Sequence, residues 1–182
     1  MRRIFFALEL APSDRAALLE VVETVRGSEA AARMRPRFTH EEDYHATLKF
    51  VGNVPDELVD SLIEDAKGLT LPQLPLPSSW EGLTAFPTEA RARVLVASAG
   101  DPTGEVEKLS QVFEDMCGKH GIRRETRPYH PHITIARLRF PQVVHELCKT
   151  SLTGECSLGP VVLYETLMSP TGNRYVQIWK ST

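Results

Sequence analysis

Apolar and aromatic side chains dominate Arg3 to Leu10, a run that reads as a strand. Pro12-Ser13-Asp14 then starts a helix, with Ser13 expected at its N-cap. Leu18, Val21, Val22 and Val25 keep helical spacing, and Gly27 is a natural stop. A basic loop leads to a second strand, Tyr44 to Val51. Pro55 opens a second helix carrying Leu58, Leu62, Ile63 and Ala66, and Gly68 closes it. The same order then recurs. Arg93 to Ala99 is a strand, and Asp101-Pro102 starts a helix whose apolar stripe is Val106, Leu109, Val112, Phe113 and Met116. Gly118 and Gly121 end it. Another basic loop precedes a strand from His132 to Leu138, and Pro141 begins a short helix carrying Val144 and Leu147. Leu71 to Ser79, with Pro72, Pro75 and Pro77, reads as a connection between the halves. Two more strands are expected, around Cys156 to Thr166 and Arg174 to Trp179.

The two halves agree in spacing: Leu8 precedes His45 by 37 positions and Val96 precedes His132 by 36. The expected fold is α+β. It has two pseudo-symmetric lobes of antiparallel sheet with outer helices, and a central cleft carrying the strands of His45 and His132. The whole chain, 1–182, reads as one two-lobed domain, with duplicated halves at approximately 1–70 and 90–150. Its 182 residues suit one domain of this size, and 42% hydrophobic with 25% charged residues excludes disordered and low-complexity classes. No apolar run approaches the roughly 20 residues of a membrane span, and Ile4 to Leu8 is too short for a signal-peptide core. Cys117, Cys148 and Cys156 have no zinc-type spacing, and an odd set fits a reduced, cytoplasmic protein. Net charge is -3, but 15 of the 21 basic residues are Arg, several in groups such as Arg33/Arg35/Arg37 and Arg137/Arg139. Arg suits bidentate phosphate contacts, and local basic groups in an acidic chain fit a small or terminal phosphate better than a long duplex.

The chemistry concentrates in two short strands. Tyr44-His45-Ala46-Thr47-Leu48 and Pro131-His132-Ile133-Thr134-Ile135 each carry His-x-Thr before an aliphatic residue. Side chains two apart on a strand share a face, so His45 pairs with Thr47 and His132 with Thr134. Ala46, Leu48, Phe50, Ile133 and Ile135 are expected to point to the core. One such motif is weak evidence; two at matching places in similar half-chains are not. Two imidazoles can serve as general acid and general base near neutral pH, and two hydroxyls can donate to phosphate oxygens as their charge grows. No protein nucleophile stands out, so water or a hydroxyl of the substrate must attack. A strained diester, such as the 2′,3′-cyclic phosphate of an RNA end, fits best.

On these motifs the chain resembles the RNA 2′,3′-cyclic phosphodiesterases of the 2′-5′ RNA ligase-like family, in the two-histidine phosphoesterase superfamily. The likeness spans nearly the whole chain. It includes Arg3 to Leu8, His45-Ala46-Thr47-Leu48-Lys49-Phe50-Val51-Gly52, Ala85-Phe86-Pro87, and above all Arg127-Pro128-Tyr129-His130-Pro131-His132-Ile133-Thr134-Ile135-Ala136-Arg137. Leu163-Tyr164-Glu165 and Ser169-Pro170-Thr171-Gly172 also match. Ala46 departs from a larger aliphatic residue and Phe38 from a common Trp. The resemblance implies hydrolysis of the cyclic phosphate to a 2′-phosphomonoester without a cofactor, and reversible 2′-5′ joining of tRNA halves. It implies His45 as proton donor to the leaving 3′ oxygen and His132 as proton acceptor for water; the sequence alone does not distinguish these roles.

Further candidates line the expected cleft. Arg137 is a candidate phosphate or base contact, although strict alternation puts it opposite His132 and a bulge or strand end would be needed. Lys49 shares the His45 face. Tyr129 and Phe86 are candidates to stack a base, and His130 to reach the cleft rim. A metal held by His130, His132, His40 and His45 is the weaker alternative, because neither motif carries a carboxylate. RNA ends or cyclic nucleotides are the expected partners of a monomer with no membrane attachment. Two other functions fit the same cleft: hydrolysis of a small nucleotide such as an ADP-ribose cyclic phosphate, and RNA binding without catalysis.

Overall fold

The computed structural model describes residues 1–169 and 172–182. In chain order the elements are β1 (Arg2–Leu10), α1 (Pro12–Arg26), α2 (Glu29–Met34), β2 (Arg37–Phe38), β3 (His45–Val54), α3 (Asp56–Lys67), β4 (Leu76–Phe86), β5 (Ala92–Gly100), α4 (Glu105–Lys119), β6 (His132–Gln142), α5 (His145–Cys148), β7 (Thr153–Ser169) and β8 (Gly172–Lys180). All strand pairings are antiparallel, in the order β1-β3-β6-β5-β4-β7-β8, with β2 added to β6. β7 also pairs with β1, so six strands form a ring. Its residues Thr153 to Leu158 run beside β4, and Leu158 to Glu165 run beside β1. Gly159 sits at the change of partner with φ 138, where a Cβ would meet Leu74 and Pro75 at 3.2 Å. Only glycine combines that backbone with that approach.

The same pairing is built twice. β1 lies beside β3 and β5 beside β6, and the two pairs meet through β3 and β6 at Ala46 and Ile133. α4, from the second half, packs on β3 of the first: the Ser110 hydroxyl donates to Leu48 O at 3.0 Å and Phe113 meets Phe6 with centroids 4.7 Å apart. Leu18, Val22 and Val25 of α1 and Val59, Leu62 and Ala66 of α3 complete the apolar core.

Several boundaries differ from the sequence expectation. α1 begins at Pro12 with Ala11 as N-cap, so Ser13 lies inside the first turn. Asp14 instead accepts from the Ser157 backbone at 2.8 Å and ties α1 to β7. α4 begins at Glu105, after Gly104 turns the chain at φ 69; the Asp101 carboxylate reaches forward to Val106 N at 3.2 Å and Glu107 N at 2.9 Å. Val112 is 37% exposed and lies outside the stripe. The segment read as a connection contains the start of β4. Leu76, Ser78 and Trp80 are buried in alternation, and Pro77 is tolerated next to the strand's first residue. Pro141 lies inside the end of β6, one residue before its last, rather than starting a helix. The first basic loop holds α2, capped by the Ser28 hydroxyl, and the two-residue β2. Of the tail Ser169-Pro170-Thr171-Gly172, Pro170 and Thr171 lie outside the described residues.

Lys49 is 3% exposed, bonded to Glu114 at 2.6 Å and to Arg123 O at 2.7 Å. It faces the core side, not the face of His45. Removing one partner of such a buried pair strands the other charge, so Lys49→Met should lower the unfolding free energy by about 3–5 kcal/mol. Lys49→Met combined with Glu114→Leu should recover most of that loss in urea titrations. An undiminished loss in the double variant would show that the stranded charge is not its source.

Candidate active site

β3 and β6 carry one matching irregularity. Thr47 pairs with Ala7 and Lys49 with Phe6, so Leu48 is an extra residue; Thr134 pairs with Val96 and Ala136 with Leu95, so Ile135 is an extra residue. An extra residue breaks alternation, because two neighbouring side chains turn to one side. Leu48 with Lys49, and Ile135 with Ala136, are accordingly both buried. The residue five places after each histidine then emerges on the histidine's own side. In β6 that residue is Arg137, which is exposed and whose charge acts on both imidazoles. In β3 it is Phe50, 53% exposed, which corrects its expected place in the core.

Each imidazole is held by the main chain two residues before it. His45 Nδ1 lies 2.7 Å from Asp43 O, and His132 Nδ1 lies 2.7 Å from His130 O. A carbonyl only accepts, so Nδ1 carries the hydrogen in both rings and Nε2 is left for chemistry. Ala46 and Ile133 are cross-strand partners in an antiparallel pair, which sets His45 on the side of Thr134 and Thr47 on the side of His132. Neither threonine hydroxyl bonds to a protein group among the described residues. Both threonines are half-buried.

The surroundings of the two rings differ. His45 is enclosed by Phe5, Tyr175 and Tyr164, with centroids at 4.8, 5.2 and 5.8 Å. Phe50 stacks on Phe5 with centroids 5.4 Å apart. Burial pulls the His45 pKa from 6.5 down to about 4, against the raising effect of its bond to Asp43 O; the nearby His132 and Arg137 push it further down. His132, touched by the edge of Phe86 at 4.9 Å, is also lowered, mainly by burial. Asp43 accepts from the Tyr175 backbone, and burial raises its own pKa.

The remaining candidates divide. Phe86 is in the site, but as a ring packed on His132. Tyr129 is turned inward: its hydroxyl donates to Thr47 O at 3.0 Å, and burial pushes its pKa up. It ties the loop before His132 to β3 rather than offering a stacking face. The His130 side chain is exposed, and its carbonyl does the positioning. His40 is exposed, and among the described residues no group of three or more His, Cys, Asp or Glu side chains could hold a metal ion. Sequence inspection missed the two carbonyls, since any residue at 43 or 130 has one. It also missed the wall of Phe5, Phe50, Tyr164 and Tyr175, although the aromatic residue at position 5 after a histidine strand was visible once a bulge was allowed.

The profile of the 2′-5′ RNA ligase superfamily matches residues 12–166. The RNA 2′,3′-cyclic phosphodiesterase of Aeropyrum pernix is 27% identical over 127 residues, covering 65% of this chain and 71% of that protein. The protein of the same name from Thermus thermophilus is 30% identical over 144 residues, covering 76% and 70%. A crystal structure of a Thermus thermophilus protein superposes with a TM-score of 0.79 at 24% identity, covering 98% of this chain and 96% of that one. Escherichia coli LigT complexed with 3′-AMP gives 0.76 at 21% identity, covering 99% and 97%.

A histidine kept neutral by its surroundings makes folding pH-dependent. The unfolded chain binds a proton at His45 near pH 6.5 and the folded protein only near 4. Stability is therefore complete above 6.5 and falls as pH drops from 6.5 towards 4. His45→Asn should flatten the Tm-against-pH curve in that window; an unchanged slope would place the titration elsewhere.

Proposed function

Because the chain belongs to the 2′-5′ RNA ligase superfamily, we propose that it is a hydrolase of RNA 2′,3′-cyclic phosphate ends, with the two imidazoles as its proton carriers. The observation that carries this reading is the matched pair of Nδ1-to-carbonyl hydrogen bonds, which leave two Nε2 atoms on adjoining strands, each beside a threonine of the other strand whose hydroxyl has no protein partner among the described residues. His132 Nε2 takes a proton from water as its oxygen bonds to phosphorus. The bond from phosphorus to the 3′ oxygen breaks, His45 Nε2–H supplies that oxygen's proton, and a 2′-phosphomonoester remains. Thr47 and Thr134 donate to the non-bridging oxygens, whose charge rises in the transition state. Arg137 adds positive charge on the β6 side beyond Thr134, and the exposed face of Phe50 offers a platform for the terminal base. With an RNA 5′-hydroxyl in place of water, the same pair in the same roles would join a 2′-5′ linkage, and with its roles exchanged it would cleave that linkage back to the cyclic phosphate.

The depressed pKa of His45 bears on its role. The free protein holds both rings neutral at pH 7, and the proton that His45 donates is taken up from solvent when the anionic substrate binds, because a phosphate between the rings favours imidazolium. The same reading includes a single two-lobed domain of doubled halves, supported by the matching extra residues Leu48 and Ile135. It also includes a cytoplasmic monomer. Three unpaired cysteines support that compartment, and among the described residues no helix is long and apolar enough to cross a membrane.

Turnover of a nucleoside 2′,3′-cyclic phosphate tests the reading directly. His45→Ala and His132→Ala should each lower kcat about 10²–10⁴-fold, with folding retained by circular dichroism, and EDTA should leave the wild-type rate unchanged. A folded His132→Ala with wild-type turnover would overturn the mechanism.

The pH profile separates free and bound protein. The kcat/KM profile reports the free rings, so its maximum should lie below pH 6.5, between their two lowered pKa values. The maximum of kcat should lie at higher pH, because bound phosphate raises both. Coincident maxima at neutral pH would show that the rings are not perturbed in the free protein.

A further inference from the structure

Resting on that hydrolase reading, we infer that Arg37 and Arg137 form a second phosphate subsite, which takes the phosphodiester one nucleotide in from the cyclic end of an RNA. β2 is only two residues long, and it sets Arg37 directly opposite Arg137 and Phe38 opposite Ala136. Directly opposed residues of an antiparallel pair share a face. Ala136 is buried and Phe38 half-buried on the core side, so both guanidinium groups stand on the other side, and both residues are exposed.

Like charges directly opposed destabilise a sheet, and no described carboxylate offsets them. Among the described residues neither arginine has a carboxylate within 4.0 Å, although the chain carries 24 Asp and Glu. The backbone is bent to make the juxtaposition. α2 ends at Arg35 with φ 49, a left-handed conformation costly for any residue but glycine, and this turns the chain into β2. Thr39 N then bonds to O of the extra residue Ile135 at 2.9 Å, fixing β2 on the bulge that exposes Arg137. An anion bridging the two planar forks removes the repulsion and satisfies donors that the protein leaves open.

Its place along the cleft identifies the anion. Thr134 and Arg137 pair with Val96 and Val94, two residues of β5 apart, or about 7 Å. The arginine pair therefore begins one step beyond the hydroxyl assigned to the reacting phosphate, on the scale of the next nucleotide. A nucleoside cyclic phosphate has no group to place there, whereas an RNA end has its next phosphodiester.

The test compares kcat/KM for a nucleoside 2′,3′-cyclic phosphate, for a dinucleotide ending in the same cyclic phosphate, and for ADP-ribose cyclic phosphate. The wild type should favour the dinucleotide. Arg37→Gln should reduce that preference roughly tenfold, the size of one charge-assisted contact. It should also lessen the salt dependence on the dinucleotide by about 0.7 in the log–log slope. Arg37→Lys should keep that slope and recover part of the preference. Turnover of the mononucleotide with no dinucleotide preference, or an equal Arg37→Gln loss on both, would overturn the subsite alone. A preference confined to ADP-ribose cyclic phosphate would overturn its assignment to RNA. A wild type inactive on all three would overturn the hydrolase reading and the subsite with it.

Discussion

A strand that alternates strictly can bring only every second side chain to one face. β3 and β6 both break alternation just after their His-x-Thr motifs, at Leu48 and at Ile135, and most of the site depends on those two breaks. Before the break, histidine and threonine share the cleft. After it, the next two side chains are both buried, and the cleft regains a residue that alternation would have sent inward. Lys49 illustrates the other consequence: a cation turned to the core, where it requires Glu114 and Arg123 O. That buried pair fastens β3 to α4 and to the loop leading to His132, so the geometry of one motif is bound to that of the other.

The imidazoles are oriented by main chain rather than by side chains. In each motif the carbonyl two residues upstream fixes the tautomer, as carboxylates do at many catalytic histidines. A neutral carbonyl supplies direction without adding a full negative charge, so the rings keep the low proton affinity that burial imposes. In the mechanism we propose, the proton affinity needed for turnover comes from the substrate's own charge, so the site is organised before binding and charged afterwards.

The corresponding positions are not chemically equivalent, and their differences give the cleft a direction. Phe50 and Arg137 follow the two histidines by the same count, yet one is an aromatic ring and the other a guanidinium group. Aromatic rings surround His45, while two arginines unpaired among the described residues stand on the β6 side beyond Thr134. A ligand with a base at one end and a phosphate at the other meets matching chemistry in one orientation only.

Much of this was legible in the sequence. Apolar periodicity marked the major helices and most strands, since each buries one stripe or face, and the repeated His-x-Thr placed two pairs of side chains on common faces. Prolines concealed the start of β4, and the small elements α2 and β2 lay hidden in a basic loop, because two-residue pairings leave no periodic trace. The decisive features required the fold. Whether Arg137 or Phe50 faces the cleft depends on an extra residue defined only by the neighbouring strand, and Tyr129 turned inward because Thr47 O came within its reach. The bond from each Nδ1 to a carbonyl depends on backbone dihedrals, not on residue type. The sequence determined which chemical groups were available and their alternation; register, a relation between strands distant in the chain, decided which of them meet.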